Sequence, residues 1–190
     1  YVLKHDIVSN GNPLFRHKFT ADPSVLVKGD TLWLFAGEDF EGNQRGYHME
    51  NWLVFSTTDM KHWTEYPAPL RAADFKWASR NAYAGHVTER NGKYYWYVST
   101  NTTGIGVAVA DRPEGPYKDA IGKPLLTNKD CFASKHSWAC IDPAVFIDDD
   151  GQAYIFWGNR YCYYAKLKRN MIEIEGEITK LEFDERWPFT

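Results

Sequence analysis

Residues Asp142-Pro143-Ala144-Val145-Phe146-Ile147, a turn at Asp148-Asp149-Asp150-Gly151 and the continuation Gln152-Ala153-Tyr154-Ile155-Phe156-Trp157 read as a β-hairpin, two β-rich runs around a Gly-containing turn. The same pattern occurs twice earlier in the chain. It runs from Asp22-Pro23-Ser24-Val25-Leu26-Val27 through Lys28-Gly29-Asp30 into 31–35, and from Ala84-Gly85-His86-Val87 through Asn91-Gly92 into 93–98. The starts, at residues 22, 84 and 142, fall 62 and 58 residues apart. Between them lie further strand candidates at 52–56, 106–110 and 163–167, each followed by a turn-like segment and another short run. Every unit thus holds about four strands, and no amphipathic helix of three or more turns interrupts them.

Four antiparallel strands repeated at this period describe a propeller blade, a small sheet packed radially against its neighbours. The expected fold is therefore all-β, a β-propeller of which this chain supplies about three blades. Propellers close with about four to eight blades, and three alone would expose two wide aromatic faces to water. Residues 1–190 are accordingly expected to be the N-terminal portion of a single larger propeller, with blade units starting near 22, 84 and 142.

Composition narrows the function. The 190 residues carry 22 basic and 25 acidic side chains for a net charge of -3, which provides no broad basic field for a phosphate backbone and argues against nucleic acid. Mean hydropathy is -0.52, and no run approaches the roughly 18 apolar residues of a spanning helix. The chain opens at Tyr1 without a basic segment and an apolar core, so a signal peptide is expected to be absent or already removed. Aromatic residues make up 16% of the chain, more than packing alone needs, which points some rings at a ligand. Cys131, Cys140 and Cys162 form an odd set without Cys-x-x-Cys spacing, which argues against a zinc site and a disulfide framework. A single Cys131–Cys140 bridge stays open beside the favoured reading of free thiols.

The chemistry lies at the unit starts. In a radial fold, equivalent positions of successive blades converge on the axis, so Asp22 and Asp142 are expected to face one shared pocket. A lone Asp-Pro can simply start a strand. Two at equivalent positions favour the pocket, and paired carboxylates are what hydrolysis of an acetal requires. The acidic run 148–151 does not fit a calcium loop, because aligning Gly151 with the sixth position puts Phe146 first and Trp157 twelfth, where carboxylates are needed. Trp33, Trp52, Trp63, Trp96 and Trp157 sit inside strand patterns and are expected in the core.

The segments 19–25, Ala36-Gly37-Glu38-Asp39, 52–63 and 141–154 together resemble glycoside hydrolase family 43, in order and at matching spacing through nearly the whole chain. The resemblance implies a five-bladed propeller that hydrolyses xylan, arabinan and related polysaccharides or their oligosaccharides with inversion, as a β-xylosidase, α-L-arabinofuranosidase or endo-acting xylanase. It implies Asp22 as the general base that activates water and Asp142 as the group that tunes the general acid, a Glu expected beyond Thr190. Glu182 and Glu185 precede that position and are not promoted. It further implies Asp39, Trp77, His86 and Asn159 as substrate-binding residues, although relatives commonly carry Gln where His86 stands. No cofactor is required; a structural calcium at the propeller axis is left open but is not indicated by this segment. The substrate class favours a secreted or periplasmic setting. Two other readings remain: a non-catalytic carbohydrate-binding propeller, and a retaining fructan or sucrose hydrolase of the other five-bladed clan. The latter is disfavoured because Ala21 and Ile141 precede the two Asp-Pro pairs where that clan places Asn and Arg.

Overall fold

A computed structural model of the chain describes residues 4–40, 48–100 and 104–183. Glu185, the terminal Phe189-Thr190 pair and the formal glycosylation acceptor Asn101-Thr102-Thr103 lie outside the described residues. Fourteen strands build three antiparallel sheets among the described residues. The first contains β1 (His5–Val8), β2 (Phe19–Lys28), β3 (Thr31–Asp39), β4 (Asn51–Thr57) and β5 (His62–Arg71) in the order β1-β5-β4-β3-β2. The second contains β6 (Gly85–Arg90), β7 (Lys93–Thr100), β8 (Gly104–Ala110), β9 (Lys118–Asp119) and β10 (Leu126–Thr127); it runs β10-β8-β7-β6, with β9 also on β8. The third is β11 (Ala144–Ile147), β12 (Ala153–Trp157), β13 (Tyr163–Leu167) and β14 (Ile174–Lys180), in chain order.

Local chemistry explains the hairpins. Arg90 pairs with Lys93 across the two-residue loop Asn91-Gly92, and both loop residues hold positive φ, 54° and 75°, which a type I′ turn demands. In the third sheet the Asp148 and Asp150 carboxylates accept the backbone N–H groups of Asp149 and Gln152, at 2.8 and 2.7 Å. The acidic run is spent on its own turn.

Burial patterns show how the sheets stack. In β4 every residue after Asn51 is buried, and β8 is buried along almost its whole length, as befits strands covered on both faces. By contrast β12 and β13 alternate buried and partly exposed residues, so the third sheet is covered on one face only. One core, with Phe35, Trp52, Leu70, Phe75, Val87 and Trp96, joins the first and second sheets. Another, with Tyr97, Ile105, Val107, Ile155, Trp157 and Tyr163, joins the second and third. A smaller cluster of Phe15, Leu53, Phe55 and Trp63 closes the remaining face of the first sheet. Trp52, Trp63, Trp96 and Trp157 are thus core residues, and Trp33 packs on Tyr66 from a half-buried position. The three cysteines are free thiols; Cys131 and Cys140 are buried, and the Trp157 indole N–H donates to Cys131 Sγ at 3.3 Å.

The stacking brings the first long strand of each unit to the same side. Strand β6 lies against both β2 and β11, so the positions that carry Asp22, His86 and Asp142 converge.

Candidate active site

Asp22 and Asp142 share an unusual backbone. Both sit before Pro and both hold left-handed φ, 51° and 57°. That region is uncommon for a side-chain-bearing residue, tolerated best by Asp and Asn, and clusters at functional sites. The sheet shows how Asp22 is set: β2 pairs with β3 through Ala21 and again from Ser24, leaving Asp22-Pro23 as a bulge between two regular stretches. A bulge re-aims a side chain without ending the strand. Asp142 stands just ahead of β11, and its backbone N–H donates to Ser99 Oγ at 2.9 Å. Ser99 is fully buried at the end of β7, and its own backbone bonds with Tyr83 and Ala84 hold it there.

Electrostatics couple the two aspartates. Partial burial raises the Asp142 carboxyl above the ordinary carboxylate range, and the negative charge of Asp22 raises it further. Asp142 keeps access to solvent, so the effect is that of a half-desolvated acid beside a second acid.

The remaining sequence candidates fall at different distances from this pair. His86, on β6, reaches across to the third sheet, where the Val145 N–H donates to its Nδ1 at 3.3 Å. This bond makes Nδ1 an acceptor, and burial pushes the imidazole below its usual value of 6.5, so the ring is neutral. Asn159 follows β12; its N–H donates to the Ala139 carbonyl at 3.1 Å, while the preceding Gly158 N–H donates to Ile141 at 2.9 Å. These bonds lay the turn beside the segment that leads to Asp142. Gly158 holds φ of +125°, and a Cβ there would collide with the Tyr161 carbonyl, so only glycine fits. Trp77 packs edge-on against Phe75 at 5.6 Å and covers Gly106, half-buried against the core of the first two sheets. Asp39 ends β3 opposite Phe19 and lines a cleft of about 820 Å³ with Phe19, Glu38, Glu50 and Asn51. That cleft includes neither Asp22 nor Asp142.

Ser99 was not legible as a site residue, because the expected strand ends at Val98. The available signal was a Ser-Thr pair closing an aromatic strand, where a buried hydroxyl must find a partner.

The His86 geometry predicts a pH effect. An unfolded His takes a proton near 6.5, whereas the folded His86 does so only at lower pH. As pH falls through 6.5 the unfolded chain binds a proton that the folded chain refuses, and stability drops until the folded value is passed. In His86→Gln, whose amide oxygen can still accept the Val145 N–H, denaturant midpoints should fall less between neutral and mildly acidic pH than in the wild type. Parallel pH dependences would show that His86 titrates normally.

The family model for Glycosyl hydrolases family 43 matches residues 11–189. An arabinoxylan arabinofuranohydrolase of Bacillus subtilis (strain 168) is 36% identical over 177 residues, 83% of this chain and 34% of that protein. Xylosidase/arabinosidase 43A of Humicola insolens is 33% identical over 171 residues, 81% of this chain and 49% of its own. The solved α-L-arabinofuranosidase of Clostridium thermocellum superimposes with a TM-score of 0.76 at 33% identity, over 90% of this chain and 59% of that one. The chain therefore spans half or less of these two curated relatives and about three fifths of the solved enzyme. Its three sheets correspond to part of the five-bladed propeller of those enzymes. A match that begins before the first aspartate and runs through all three sheets leaves one conclusion: the chain belongs to glycosyl hydrolases family 43.

Proposed function

We propose that the whole protein is an inverting glycosidase acting on xylan- or arabinan-type chains or their oligosaccharides. The observation that carries this reading is the Asp22–Asp142 pair: equivalent positions of two blades, the same left-handed backbone, and an Asp142 carboxyl raised by burial and by the Asp22 charge. In the proposed reaction Asp22 is the general base. It takes a proton from water as the water oxygen bonds to the anomeric carbon, and the bond to the leaving oxygen breaks as a general acid protonates it. In an inverting enzyme base and acid carboxyls stand about 6.5–9.5 Å apart, which leaves room for that water. Asp142, charged and close, would keep the acid protonated at neutral pH. The acid itself is assigned to a Glu outside this chain. Asp39, Trp77, His86 and Asn159 are proposed sugar contacts, and this acid–base hydrolysis calls on no cofactor.

The names of the relatives support pentose-containing substrates, with arabinofuranose release foremost. The test is to incubate the full-length protein with nitrophenyl α-L-arabinofuranoside, nitrophenyl β-D-xyloside, xylan and arabinan, following the first-formed anomer by NMR. Hydrolysis of at least one with inversion is expected. Retention would overturn the mechanism, and binding without hydrolysis of any of them would favour a non-catalytic carbohydrate-binding propeller.

A further inference from the structure

On the outer edge of the first sheet, at the far side from β2, strand β1 pairs with β5 and sets His5 opposite Glu65. His17, from the segment between β1 and β2, joins them. His5 Nδ1 lies 3.5 Å from Glu65 Oε2, and His17 Nε2 lies 2.8 Å from the same oxygen. The three atoms all fall within 4.8 Å of one another. The Glu65 side chain is only 9% exposed, whereas that of His5 is 62% exposed and opens the cluster to solvent. The other Glu65 oxygen is engaged by Lys18 Nζ at 3.0 Å, and Lys18 also reaches Glu38 Oε1 at 2.9 Å.

We propose that His5, His17 and Glu65 form a surface site for a zinc-class divalent cation, which fastens β1 and the segment before β2 to β5. Zinc binds imidazole nitrogen at about 2.0–2.1 Å and carboxylate oxygen at about 2.0–2.2 Å, so tetrahedral ligands stand about 3.4 Å apart. The His5–Glu65 pair already has that spacing. The His17–Glu65 contact is shorter because a proton bridges it; a cation replaces that proton and opens the pair by about 0.6 Å, with the proton moving to Nδ1 or to solvent. Two imidazoles select against calcium and magnesium, which take oxygen ligands.

Lys18 sets the balance of charge. Its ammonium would repel a cation, but it is shared between two carboxylates, so with neutral imidazoles Glu38, Glu65 and Lys18 sum to one negative charge. By holding Oε1, Lys18 fixes the carboxylate with Oε2 toward the imidazoles, the part that an outer-sphere partner plays at a metal centre. Water would complete the coordination on the exposed side. A sequence search for metal ligands passes over this trio, because its members come from three separate segments and lack a short motif.

The test is calorimetric titration of Zn2+ into metal-free full-length protein, alongside the double variant His5→Ala/His17→Ala. The wild type should take up one more equivalent than the variant, or bind it at least about tenfold more tightly. Co2+ should give the visible bands of a tetrahedral nitrogen–oxygen site in the wild type alone, and Zn2+ should raise Tm in the wild type alone. Equal uptake and affinity in the two proteins would overturn the proposal. Should the double variant fail to fold, His5→Ala, which truncates an exposed side chain, carries the same comparison. None of these readouts depends on the hydrolytic activity.

Discussion

Asp22→Asn in the full-length protein should lower kcat on an aryl pentoside by about 10³-fold, within the range that removal of a general base costs, with KM changed far less. Folding should survive, since Asn tolerates the left-handed backbone at this position as well as Asp does and the bulge between Ala21 and Ser24 needs no carboxylate. Matching circular dichroism and denaturant midpoints for the two proteins would locate the loss in chemistry. Near-normal turnover would remove Asp22 from the base role.

A loss of stability of similar standing is expected at Trp96. This ring is 1% exposed and meets Phe35 at 5.0 Å, Tyr117 at 5.1 Å and Trp52 at 6.2 Å, so it fills the seam between the first two sheets. Trp96→Ala should cost about 3–5 kcal/mol, the ordinary range for emptying a buried aromatic site. Trp138→Ala, which removes a ring 44% exposed that packs mainly on His136 at 4.3 Å, should cost less than half as much. Urea unfolding of both variants checks the contrast. Equal effects would mean that Trp96 does not carry the seam.

The propeller was readable because its repeat is written twice over, once in the spacing of 22, 84 and 142 and again in turn chemistry such as Asn91-Gly92. What escaped reading has a common cause. Strand β1 is four residues long and pairs with β5, whose partner residues begin at His62; β9 and β10 are two residues each. Tertiary pairing makes these strands, and a run that short has no periodicity to detect. The site divides in the same way. Asp22 and Asp142 were visible because a radial repeat turns equivalent positions into neighbours, and His86 lies at the matching place on β6. Ser99 and the His5–His17–Glu65 trio were invisible because their partners are distant in sequence, and no repeat relates them. Asp39 is implied, like Trp77, His86 and Asn159, by the resemblance, and the structure sets it in a cleft that the two aspartates do not line.

At the convergence of β2, β6 and β11, the Asp22 charge acts on the Asp142 carboxyl. This coupling is tested most directly by carbon-13 NMR titration of the Asp142 carboxyl, in full-length protein with labelled aspartate, before and after Asp22→Asn. Asp142 should titrate above the ordinary carboxylate value of 3.8 in the wild type, raised by burial and by Asp22, and its pKa should fall when the Asp22 charge is removed. An Asp142 titration unmoved by that substitution would contradict the coupling.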